Sequence, residues 1–162
     1  MASGELQLLL AGARAANSFS SERVAGVLFR NPSDQTLALG PVLSPPTVTR
    51  LAGGAYSRLR AQVAAQAAYN GFFTAEYEHI GPDRTTTILA SAQFVGGGAW
   101  DLSIPDLSGA TGWNPTWGLQ NGISLVWSVT AHGGSLSRFG ADATDGSTFR
   151  RATVNSGGVP FP

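Results

Sequence analysis

Several segments between Glu22 and Ala131 alternate apolar and polar residues, the two-residue period of a strand with one wet face. In "FTAEYEHI" (73–80), Phe73, Ala75, Tyr77 and His79 fall on one side, and Thr74, Glu76 and Glu78 on the other. After "GPD" (81–83), the run "RTTTILASAQFV" sets Ile88, Ala90, Ala92 and Phe94 on one face, which predicts a hairpin. "AWDLSI" alternates Trp100, Leu102 and Ile104 with Asp101 and Ser103. "ISLVWSVTA" (123–131) aligns Ile123, Leu125, Trp127 and Val129 behind the turn pair Asn121–Gly122. A second hairpin is expected from "ERVAGVLFR" (22–30) and "TLALGPVL" (36–43), joined by the turn-forming "NPSDQ".

One stretch supports two patterns. "YSRLRAQVAAQAAYNG" (56–71) is rich in helix formers and ends at Gly71, with Leu59, Val63 and Ala67 at helical spacing. It also alternates, with Leu59, Ala61, Val63, Ala65 and Ala67 against Arg58, Arg60, Gln62, Ala64 and Gln66. Flanking strand patterns favour β. Six to eight short strands between Gly- and Pro-rich turns predict an antiparallel β-sandwich, immunoglobulin/fibronectin-like or jelly-roll-like. One short helix near 56–70 is the alternative for that segment. The expected division is a sandwich over 1–132 and a Gly/Ser-rich C-terminal arm over 133–162. Phe139, Phe149, Val154, Val159 and Phe161 argue that the arm is docked through one or two short edge strands, on the domain or on a neighbouring subunit.

A chain of 162 residues is long enough to bury a core without staples. Charged residues make up only 12%, about half the usual share, so Ser, Thr, Gly, Asn and Gln must supply much of the polar surface. The ten basic residues are all arginine and are scattered along a chain of zero formal net charge. That leaves no concentrated basic face for nucleic acid. Cysteine is absent, which excludes disulfides and thiolate chemistry. No apolar run is long enough for a membrane-spanning helix. Leu6 to Ala11 holds a short apolar run, but it follows Glu5 without a basic leader and reads as part of the fold.

Candidate chemistry is sparse. Trp100 and Trp127 stand in register with aliphatic residues and are expected in the core. Trp113 and Trp117 lie in the non-alternating "SGATGWNPTWGLQ", where they either plug an end of the sandwich or offer indole faces to a ligand, beside Asn114, Gln120 and Asn121. Glu76 and Glu78 sit about 7 Å apart by strand rise, compatible with paired-carboxylate hydrolysis but more simply a solvated face. His79 points to the core face, His132 stands at a strand end, and no G-x-S-x-G elbow occurs. "DATDG", with Asp142 and Asp145, lacks the ligand alternation of a calcium loop and reads as a turn. The glycines of "VGGGAW" lead into a strand rather than a helix N-terminus, so they form no phosphate cradle. Asn31 and Asn114 each precede proline and are not glycosylation acceptors.

These readings converge on a non-enzymatic contact protein, extracellular or at the cell surface, without cofactor or metal. The contact elements expected are the loop bearing Trp113, Asn114, Trp117 and Gln120, and the arm bearing Phe149 and Phe161. The expected partners are other protein subunits, including copies of itself. The alternative is a carbohydrate-binding module that stacks polysaccharide rings on Trp113 and Trp117.

Overall fold

The computed structural model describes residues 5–15, 21–31, 33–81, 84–136, 143–157 and 161. Phe139, Asp142 and Val159, and Pro32, Pro82 and Asp83 of the expected turns, lie outside them. The elements run β1 (Gln7–Arg14), β2 (Ser21–Phe29), β3 (Thr47–Leu51), β4 (Arg58–Val63), β5 (Phe72–His79) and β6 (Thr85–Ser91). They continue with α1 (Ala92–Val95), β7 (Trp100–Ser103), a 3-10 turn (Pro115–Trp117), β8 (Leu125–Gly134) and β9 (Thr148–Asn155). All pairings are antiparallel, in a six-stranded sheet of order β1-β2-β9-β8-β5-β6 and a three-stranded sheet of order β3-β4-β7. The molecule is thus mainly β, and its described residues form two antiparallel sheets, one short helix and one 3-10 turn.

Alternation explains which faces meet. Phe73, Ala75 and Tyr77 of β5, and Leu125, Val129 and Ala131 of β8, are buried against Leu59, Ala61 and Val63 of β4 and Trp100 and Leu102 of β7. The Phe73 and Trp100 rings stack across the sheets at 3.8 Å, and the Tyr77 hydroxyl donates to Leu102 O at 3.1 Å. Each large apolar side chain removed from water here contributes about 1.5–3 kcal/mol and each alanine methyl about 0.8 kcal/mol, so this interdigitated layer is the main source of stability. Desolvation raises the Tyr77 pKa, with Asp101 adding to the effect, and the phenol stays neutral.

The short sheet does not reach β1 and β2. The inner face there is partly covered by extended chain over 33–46, with Leu43 buried and Gly40 O accepting from Arg23 Nη1 at 3.2 Å. The expected hairpin of 22–30 with 36–43 does not form. β2 pairs with β1 and β9 instead, and Pro41, Pro45 and Pro46 deprive the 36–46 segment of donors needed for a ladder.

Of the ambiguous 56–70 segment, Arg58–Val63 forms strand β4 and none of it is helix, while the chain turns over 64–70 with Ala65 and Ala67 exposed rather than on the strand's apolar face. A two-residue period carries Leu59, Ala61 and Val63 all into the core and leaves Arg58, Arg60 and Gln62 outside. The short helix lies at 92–95 instead. Ser91 ends β6 by accepting the Phe94 N–H on its Oγ at 3.1 Å, and Phe94 is turned out to solvent rather than continuing the Ile88 face. The C-terminal region is also corrected. β9 lies between β2 and β8 in the interior of the large sheet, so it is neither an arm nor an edge strand, and β8 runs through the expected boundary at 132/133. Trp100 is buried as expected, whereas Trp127 is only half-buried at the sheet's end.

Candidate functional site

Two surfaces stand out: a groove beside Trp113 and Trp117, and the open edge of β1. The groove begins with Tyr56, whose hydroxyl donates to Pro105 O and accepts from Leu107 N–H, both at 2.8 Å, tying the start of the loop to the sandwich. Gly118 lies against the Tyr56 ring so closely that a Cβ there would come within 2.7 Å of it. Asn114 caps the 3-10 turn, its Oδ1 accepting from Thr116 N–H at 3.0 Å and facing Thr116 Oγ1 at 2.9 Å. Gln120 Nε2 donates to Gly118 O at 2.9 Å, and Gln120 N–H donates to His79 Nε2 at 3.0 Å. Arg84 Nη1 also donates to Gly118 O, at 3.2 Å. The loop is therefore held from both ends.

This scaffold separates the two tryptophans. Trp113 tilts against Tyr56 at 5.5 Å and is half-buried, with its indole N–H buried and unpartnered. Trp117 stands edge-on to Trp113 at 5.8 Å and is 64% exposed. Together with Thr85, Thr87, Ile88 and Leu107 they line a groove of about 420 Å³. The side chains of Asn114 and Gln120 hydrogen-bond within their own loop, Asn114 from an exposed position.

The remaining candidates disperse. Glu76 and Glu78 lie on the outer face of the large sheet, beside a hollow of about 400 Å³ lined also by Trp127 and Asn155. The pleat of β5 sends His79 to the opposite face, where it is 4% exposed, so these three groups do not converge on one substrate position. Burial, with Arg84 and Arg50 nearby, lowers the His79 pKa, and its Nδ1 is buried without a partner. His132 stacks on Phe72 at 4.0 Å on the outer face. Asp145 accepts the Arg30 N–H at 2.9 Å as a turn residue, and among the described residues no group of three His, Cys, Asp or Glu could hold a metal. Phe161 bridges Leu125 in β8 with the Arg50 guanidinium 5.7 Å over its ring, and so packs on its own chain.

The β1 edge is a feature that alternation did not reveal. Ala15 donates its N–H to Ser21 O at 3.3 Å, and Leu28 exchanges 2.8 Å bonds with Ser147 O and Gly146 N. Antiparallel geometry then directs the odd-numbered residues of β1 toward β2 and turns the N–H and C=O groups of Leu8, Leu10 and Gly12 outward. Leu8, Leu9 and Leu10 are 51%, 41% and 53% exposed. Phe149 lies just behind them on the outer face. A Cβ on Gly26 would meet its ring at 2.2 Å and Leu10 Cδ2 at 2.9 Å, so glycine is what lets these two side chains close over β2.

Fold and site define a two-sheet antiparallel β-sandwich with an aromatic groove at one place and, at another, an apolar edge strand that among the described residues pairs only with β2. Comparison with known protein families, with curated proteins and with solved structures finds no match to this chain. Among the described residues no helix is long and apolar enough to cross a membrane.

Proposed function

We propose that this protein is a non-catalytic, exported or surface-associated structural subunit, which acts by pairing the exposed edge of β1 with another protein strand. The single observation that carries this reading is the β1 edge, with outward backbone groups and leucines exposed on both faces. Edge strands of monomeric proteins are normally blunted by charge, proline or a bulge. From Gln7 to Ala13 this one has neither charge nor proline. Strand addition satisfies such groups through main-chain hydrogen bonds, while side chains on alternate faces supply the apolar contact.

Sedimentation velocity over a range of concentrations tests the reading. The intact chain is expected to associate, and a Leu8→Lys, Leu10→Lys double variant to sediment as a folded monomer of 16.7 kDa. Identical sedimentation of the two proteins as monomers would remove it.

A second reading is favoured by one observation, the exposure of Trp117 over the groove. An exposed indole stacks on the apolar face of a sugar ring, and Thr85 and Thr87 offer hydroxyls beside it. Retention on insoluble polysaccharide should then drop at least about tenfold in Trp117→Ala, the loss of one stacking contact of roughly 1.4 kcal/mol. Equal retention of the variant and the parent protein counts against sugar stacking.

A further inference from the structure

We infer that the strand added to β1 is β1 of a second copy, antiparallel about a two-fold axis through Leu10, which makes one continuous twelve-stranded sheet. This rests on the strand-addition reading and specifies its partner. The outward-facing positions at and beside the edge are Leu6, Leu8, Leu10, Gly12 and Arg14, and Leu10 is the middle one. Placing the axis there pairs every one of them: Leu10 with the partner's Leu10, Leu8 with the partner's Gly12, and Leu6 with the partner's Arg14. In antiparallel sheets directly opposed residues share a face, so this register keeps the inner and outer faces of both copies continuous.

Size complementarity follows from the order of the letters. In "QLLLAGA" (7–13), bulk precedes the axis and small residues follow it. Leu8 therefore meets the partner's Gly12, Leu9 meets the partner's Ala11, and Gln7 meets the partner's Ala13. No like charges oppose one another, and Arg14 is already within 3.5 Å of Glu22 in its own copy. On the outer face the two Leu10 side chains are flanked by Phe149 of each copy, so the new contact is continuous with the apolar strip packed over Gly26. The far edge of the same sheet does not compete, because β6 runs into α1 and lies against β7. A two-fold axis uses one edge from each copy and closes the assembly at two.

Single cysteines test the register, because the native chain has none and any disulfide must be intermolecular. The variants Leu10→Cys, Leu8→Cys and Gly12→Cys are oxidised mildly and read on non-reducing gels. A side chain at position 12 fits, since its Cβ would have no neighbour nearer than 3.5 Å. Leu10→Cys is expected to cross-link to itself almost completely. Leu8→Cys alone should not, because four residues of strand rise separate it from its own copy by about 13 Å, beyond the roughly 7 Å that a disulfide spans. Mixing Leu8→Cys with Gly12→Cys should restore a cross-linked dimer.

Self-cross-linking of Leu8→Cys at the rate of Leu10→Cys, or assemblies larger than two, would overturn the symmetric pairing while leaving strand addition at β1 intact. If the intact chain is monomeric at every concentration, both fall. Thermal unfolding of each variant near the parental Tm excludes misfolding as the cause of a missing cross-link.

Discussion

His79 shows how much a single side chain depends on its setting. Its alternation with Tyr77 places it inward, and the structure buries it between β5 and the loop, where Nε2 accepts the Gln120 N–H. That bond requires the neutral imidazole. Burial lowers the folded-state pKa below 6.5, so on acidification the unfolded chain takes up its proton first. Stability is therefore undiminished above that value and falls as pH drops below it toward the folded-state pKa. Tm is expected to fall between about pH 7.5 and 5.5, by about 2–4 °C for each kcal/mol lost. His79→Gln, which keeps an acceptor for Gln120, should flatten that slope, and calorimetry at the two pH values measures it. An unchanged slope in the variant would mean that His79 is not the titrating group. The two loop tryptophans make a related point: both letters are the same, but only Trp113 is drawn against Tyr56, because Gly118 leaves room for that ring.

At the scale of elements, strands with one wet face were legible. β5, β7 and β8 carry the alternation that places apolar side chains inward, β6 carries it at Ile88 and Ala90 but leaves Leu89 exposed, and β4 carries it beside a competing helical spacing. β1 was not legible, because a strand exposed on both faces has no reason to alternate, and Leu8–Leu9–Leu10 reads only as an apolar run. The two faces of its backbone ladder lead to opposite expectations for proline. Leu9 bonds toward β2, so Leu9→Pro removes a ladder hydrogen bond and should cost about 1–3 kcal/mol. The N–H of Leu10 points to the open edge, where proline is tolerated, so Leu10→Pro should keep Tm within a few degrees of the parent at concentrations where the chain is monomeric. Equal destabilisation by both substitutions would mean that the outward direction of Leu10 is misassigned.

For the whole molecule, the decisive element is β9. It is separated from its neighbour β2 by more than a hundred residues of chain, yet it joins β1-β2 to β8-β5-β6. Its own letters, "TFRRATVN", hold two arginines and two threonines, which resemble an edge more than an interior strand. They suit the interior because its outer face is solvated: Thr153 faces Thr130 Oγ1 to Oγ1 at 2.9 Å, and Arg151 reaches Glu22 at 3.2 Å. Arg150 lies toward the thinly covered inner side near Ala25. A sheet with one wet face accepts such residues in the middle, so position in the sheet cannot be read from polarity alone.

By itself the sequence determined the class of fold, the inward faces of the alternating strands and the absence of cysteine chemistry, because two-residue periodicity and composition are local properties of the letters. Only the tertiary structure decided that β9 closes the large sheet, that Asn114 and Gln120 hold their own loop while Trp117 faces solvent, and that β1 stands at the sheet's edge, paired among the described residues with β2 alone. Those outcomes depend on which distant strands meet, since burial and hydrogen-bond satisfaction belong to the assembled sheet rather than to any one segment.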